Sequence, residues 1–212
     1  MTRNRINISV VLLSVAALLF LFPSASRASD PVNSLLSRMS SSQVKFGYTF
    51  STKGNMNIKG DGNAVVQGKC FFVEGNGMEI YCDGKSRWTV DNYSKEAIIE
   101  DVTMVGDDFL TNPAAFLTSL DKVFGEPEMS KGTFGGKSVD VASFLPKGKS
   151  SVSSMKLFFR SSDLSGAEIT LADGSVTQFT VTGMTFSDVE QGKDFSFKDK
   201  ELDSSWVVTD LR

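Results

Sequence analysis

Polar and apolar residues alternate with a period of two along most of this chain, as strands with one buried face require. Val44, Phe46, Tyr48 and Phe50 alternate with Lys45, Gly47, Thr49 and Ser51. After a turn at Lys53-Gly54, a second strand runs from Met56 to Val66, with Ile58, Gly60, Gly62 and Ala64 on its apolar side. Two glycines inside one strand face imply either a strong bend with close backbone approach or a plain bulge. From Lys69 to Val90, three short runs rich in aromatic and β-branched residues are separated by Gly75-Asn76-Gly77 and Asp83-Gly84-Lys85. This predicts a β-meander. With Asn76 at the tip of its first turn, Cys70 would face Cys82 and Phe72 would face Ile80 on one apolar face.

Helical spacing appears twice. Asp30-Pro31 supplies a cap and a first-turn proline for a helix with Val32, Leu35, Leu36 and Met39 on its stripe, ended by Ser40, Ser41 and Ser42. Asn112-Pro113 opens a second, with Ala114, Phe116, Leu117, Leu120 and Phe124. Between them Glu96 to Glu100 reads as a strand, and the segment from Gly125 to Gly136 reads as glycine-rich turns. Strands then follow at 138–145, 154–160, 167–171 and 178–186, the Asp173-Gly174 turn making a hairpin of the last two. Phe195 and Phe197 alternate next, and Trp206-Val207-Val208 supplies a closing strand. The pattern predicts one mainly β domain of about ten antiparallel strands with two short helices.

Arg3 and Arg5, the apolar run from Ile8 to Phe22, and Ser26-Arg27-Ala28 form a secretory signal pattern. Residues 1–28 are therefore expected to be removed, with cleavage after Ser26 or an uncleaved anchor as alternatives, leaving one domain over 29–212. The net charge of that domain is about −6, which attracts neither nucleic acid nor an anionic surface. Two cysteines in an exported chain, Cys70 and Cys82, could form a disulfide or pack as free thiols.

With no histidine, the chain lacks the commonest metal ligand and general base. It also has no Gly-x-Ser-x-Gly elbow. Asp107-Asp108 is the one pair of adjacent aspartates left after cleavage, and its place before a helix suits the helix dipole. No enzymatic activity, cofactor or metal is expected. Seventeen phenylalanines, most of them on predicted inward faces, and Met39, Met56, Met78 and Met155 suit either an ordinary core or an adaptable apolar cavity.

The run Tyr81-Cys82-Asp83-Gly84-Lys85-Ser86-Arg87-Trp88-Thr89-Val90, set in a meander ahead of an Asn-Pro helix, resembles the periplasmic outer-membrane lipoprotein carrier family, LolA and its relatives. The closing Phe195-Ser196-Phe197 and Trp206 to Arg212, the helix from Pro31 to Met39 and the strand with Phe46 and Phe50 are similar to that family too. The resemblance implies a strongly curved, incompletely closed antiparallel β-barrel with short lid helices. It implies a monomeric periplasmic chaperone that takes acylated lipoproteins from an inner-membrane ABC transporter to an outer-membrane acceptor. By position, Phe46, Tyr48, Phe50, Ile58, Val66, Phe72, Ile80 and Trp88 would line the acyl-chain cavity, closed by Leu35, Met39, Phe116, Leu117 and Leu120. Some family members carry an arginine before the third strand that latches the lid, where this chain has Gln67-Gly68-Lys69. Other readings are a periplasmic lipid- or glycolipid-binding protein, an exported interaction module with a filled core, or an acid-base enzyme at Asp107 and Asp108.

Overall fold

The computed structural model describes residues 30–54, 57–102, 120, 122–198 and 202–212. Pro31–Arg212 forms one unit. It opens with helix α1 (Pro31–Ser41), whose Val32, Leu35 and Met39 are buried. The hydroxyls of Ser40 and Ser41 donate to the carbonyl of Ser37, giving the backbone an alternative to a further helical turn.

Among the described residues twelve strands follow: β1 (Gln43–Lys53), β2 (Ile58–Gln67), β3 (Cys70–Gly75), β4 (Met78–Cys82), β5 (Ser86–Asp91), β6 (Glu96–Asp101), β7 (Glu128–Phe134), β8 (Lys137–Phe144), β9 (Val152–Arg160), β10 (Asp163–Leu171), β11 (Val176–Ser187) and β12 (Val207–Asp210). They form one curved sheet in the order β12-β6-β5-β4-β3-β2-β1-β11-β10-β9-β8-β7, open between its two ends. One long pairing, β1 with β11, joins the two meanders.

The sheet has two apolar faces. On the helix face, α1 packs with Val44, Phe144, Met155, Leu157, Phe159 and Ile169 in the largest core cluster, which also holds Leu120 and Phe124. Arg38 ties α1 down by lying 3.8 Å over the Phe186 ring and pairing with Asp163 at 3.2 Å. The opposite face of β5 and β6 carries buried Trp88, Val90, Ala97 and Ile99, covered by Phe197 and Trp206 from the segment leading to β12. This segment is a strap.

Several expectations are corrected. In the β3–β4 hairpin, Asn76 (φ 52°) and Gly77 (φ 76°) together form the loop, so the tip falls between them rather than on Asn76. The ladder then pairs Phe71 with Cys82, Phe72 with Tyr81 and Val73 with Ile80, one residue off the expected register. A one-residue slip exchanges the faces. Phe72 consequently projects from the other face than Ile80, and Cys70 and Cys82 project to opposite faces, each a free thiol.

The stretch read as glycine-rich turns contains a further strand, β7, whose Gly135-Gly136 is the two-residue loop into β8. Most of its side chains are exposed, so it carries no apolar alternation. The closing strand β12 runs parallel to β6, not antiparallel. Phe195 and Phe197 sit in the irregular strap, not in a strand. The expected second helix lies outside the described residues except at its end, where the Phe124 N–H donates to the Leu120 carbonyl at 2.9 Å. Phe116, Leu117, Asp107, Asp108 and the signal segment also lie outside them.

Candidate functional site

Alternation along β1 sends Phe46, Tyr48 and Phe50 to the helix face, and pairing carries that face across the sheet. Phe46 lies beside Ala64, Ala64 beside Val73, and Val73 beside Ile80. The row continues from Ile80 to Thr89, Ile98 and Thr209. Phe46, Val73 and Ile80 are half-buried around Val66, Phe71 and Cys82, and Ile98 is 40% exposed. Where α1 packs, this face is closed. Along the row the described residues leave it partly uncovered, apolar at Phe46, Val73, Ile80 and Ile98, with Val102 packed beside it and Thr89 and Thr209 as its polar members.

The two glycines of β2 have the close-approach role. A Cβ on Gly62 would overlap the Glu74 carbonyl oxygen and lie 2.6 Å from the Tyr48 hydroxyl. One on Gly60 would overlap the Asn76 amide nitrogen and lie 2.6 Å from the Phe50 ring. The bare backbone lets Tyr48 and Phe50 lie flat across β2 and brings β3 close enough for Tyr48 O–H to donate to the Glu74 carbonyl at 3.3 Å. Burial and the nearby carboxylates of Asp61 and Glu74 push the Tyr48 phenol up, so it stays a neutral donor.

Of the residues expected to line a cavity, Phe46, Tyr48, Phe50, Ile58, Val66 and Ile80 share the helix face. Phe72 and Trp88 do not. They stand on the strap face, where Phe72 and Tyr81 rings lie 4.7 Å apart and Tyr81 and Phe197 rings 5.3 Å apart. The indole N–H of Trp88 is buried there without a hydrogen-bond partner among the described residues. Leu35, Met39 and Leu120 are buried in the main core beside α1.

Val73 and Ile98, which the sequence pattern did not single out, join the row, and Met78, named only among the methionines, flanks it. Arg87 closes one end of the face, its Nε donating to Glu100 at 2.7 Å. A cavity of about 480 Å³ lies at the other corner on the opposite side of the sheet, lined by Thr49, Ser51, Lys59, Asp61, Gln178 and Thr180, which the ladder projects away from the helix face, together with Phe50, Gly60 and Asn76. None of the row's apolar side chains lines it.

At Gln67-Gly68-Lys69, Lys69 makes no ion pair among the described residues. Instead Gln67 pins the strap: its Nε2 donates to the Glu190 carbonyl at 3.1 Å, and its Oε1 accepts from Glu190 N–H and Gln43 Nε2, each at 3.0 Å. Cys82 donates its S–H to the Lys69 carbonyl at 3.6 Å, and burial pushes its thiol up to about 11. No three His, Cys, Asp or Glu side chains converge as metal ligands among the described residues.

No protein-family model matches the chain, and no curated protein does. Among solved structures it is similar to an uncharacterized conserved protein from Thermus thermophilus, at 9% identity over 86% of this chain and 98% of that one, with a TM-score of 0.51. The two share a fold. Other similar structures include a LolA superfamily protein from Nitrosomonas europaea, at 11% identity, 78% and 97% coverage and a TM-score of 0.40. A putative outer membrane lipoprotein-sorting protein domain from Vibrio parahaemolyticus gives 9%, 77%, 92% and 0.37.

Proposed function

We propose that this chain is an exported, non-enzymatic carrier that shields the acyl chains of lipoproteins on the open part of its helix face. In this reading residues 1–28 direct export to the periplasm, and the cargo passes from an inner-membrane ABC transporter to an acceptor at the outer membrane. The observation that carries the reading is the half-exposed row Phe46–Val73–Ile80–Ile98, continuous with a closed core yet left partly uncovered by the described residues. The carrier-like order of motifs from Tyr81 to Val90 and from Phe195 to Arg212 supports it.

Each methylene withdrawn from water contributes about 0.8 kcal/mol, so a chain of fourteen methylenes gains roughly 11 kcal/mol when fully sheltered. A face that covers one side recovers about half of that. Such an affinity retains an acyl chain in water and still releases it to a membrane or a deeper pocket. Shape and apolar area suffice, and no bond is made or broken.

Native mass spectrometry of protein purified from the periplasm tests the proposal. The expected result is a bound acylated polypeptide, lost in an Ile80→Glu variant that keeps its thermal transition. A glycolipid or free phospholipid as the sole cargo would replace lipoproteins by another lipid class. An empty wild-type protein that also fails to take up a fluorescent fatty acid would leave an exported scaffold with no carrier role.

A further inference from the structure

The row of the helix face ends on a strand whose outer edge pairs with no other strand among the described residues, its one charge, Asp210, being held by Arg212. Strand β12 terminates the sheet, and all four of its side chains are exposed. Edge strands normally carry lysines, prolines or bulges against pairing with foreign strands. The other terminal strand, β7, has Glu128 and Lys131, the latter paired with Asp140. Strand β12 reads Val207-Val208-Thr209-Asp210, with an unbroken register against β6 and its two valines 58% and 42% exposed.

The direction of its hydrogen bonds shows which groups are free to pair. Val207 N–H donates to the Lys95 carbonyl at 2.9 Å and Leu211 N–H to the Ile99 carbonyl at 2.8 Å. In a parallel ladder alternate residues address the same neighbour. The N–H and C=O of Val208 and Asp210 therefore point away from β6, toward the open side. Thr209 continues the row of Ile80, Thr89 and Ile98, three strand spacings or about 14 Å from Ile80.

We propose that the outer edge of β12 docks an extended peptide as a thirteenth strand, and that this peptide is the polypeptide segment next to the acylated residue of a carried lipoprotein. The inference rests on the carrier reading, because continuity between the acyl row and the edge is what selects this partner. An acyl chain lying over Ile80 and Ile98 delivers its attached backbone to Thr209. Main-chain pairing there is indifferent to sequence, which suits a carrier serving cargoes that share a lipid and differ in polypeptide.

The test uses an N-palmitoyl heptapeptide of alternating threonine and valine, the same peptide without its acyl group, and palmitate alone. The lipopeptide should bind at least tenfold more tightly than palmitate and slow hydrogen exchange at Val208 and Asp210. Val208→Pro removes one outward N–H and leaves the β6 ladder intact. It should lower lipopeptide affinity to that of palmitate with palmitate binding unchanged, while Val208→Ala behaves as wild type. Unaltered exchange at both amides with lipopeptide bound, or full lipopeptide affinity in Val208→Pro, overturns the proposal. Concentration-dependent protection with a doubled mass also overturns it, since a second copy would then hold the edge. If palmitate itself fails to bind, the carrier reading falls, and the unacylated peptide at millimolar concentration decides the edge: protection of the two amides upholds it and none removes it.

Discussion

Replacing Phe71 by alanine tests the register on which every face assignment rests. Phe71 is fully buried between Val66 and Cys82, whereas Phe72 is half-buried on the other face against Tyr81. A buried phenylalanine cut to alanine loses 3–5 kcal/mol, and the tight setting of Phe71 places it near the middle, at about 4 kcal/mol. With a urea dependence of roughly 2 kcal/mol per molar, the unfolding midpoint should fall by about 2 M. Phe72→Ala forfeits about half the buried area and one ring contact, costing about 2 kcal/mol and about 1 M. The two variants should also differ in near-ultraviolet circular dichroism. Phe72→Ala loosens Tyr81 and with it the strap over Trp88, while Phe71→Ala leaves the indole signal in place at low urea. In the register with Cys70 opposite Cys82 the roles exchange. A larger loss for Phe72→Ala than for Phe71→Ala would refute the hairpin assignment and the row built on it.

Gly62→Ala should destabilise by about 1–3 kcal/mol, since its Cβ meets the Glu74 carbonyl oxygen rather than a side chain able to turn aside. Gly148→Ala, with nothing within 4 Å, should stay within about 0.5 kcal/mol of wild type in the same titration. At pH 8, iodoacetamide should label Cys70 and spare Cys82 until the chain unfolds, because burial raises the Cys82 thiol from its ordinary 9 to about 11. Between those values the unfolded chain binds fewer protons than the folded one. The contribution of Cys82 is thus complete below pH 9 and lost as pH rises through 11, and Cys82→Ala should flatten that part of the stability profile.

Much of this architecture is legible in the sequence because its signals are local. Pro31 at the first helical turn with Val32, Leu35 and Met39 fixes α1, and strict alternation from Val44 to Phe50 fixes β1. What stayed hidden depends on partners distant in the chain or on a single residue of register. The Asn76-Gly77 loop shifts the pairing by one, which parts Phe72 from the face of Ile80, and the pairing of Tyr81 with Trp88 in the next hairpin puts Trp88 on the side of Phe72. Strand β7 is polar because it is an edge, so no pattern announces it. The parallel course of β12 follows from a strap whose Phe195 and Phe197 alternate like strand residues but serve as plugs. The two glycines of β2 were visible, and the close approach they permit became specific only once Tyr48 and Glu74 stood on either side.

Photolabelling with a fatty acid that carries a diazirine at mid-chain, followed by peptide mapping, tests the central claim most directly. Crosslinks are expected at Val73, Ile80 and Ile98 on the open helix face, and they should vanish on competition with palmitate. Labelling concentrated on Phe72, Trp88 and Trp206 would place the ligand beneath the strap, and an absence of competable labelling would mean that the row holds no acyl chain; either result contradicts the account.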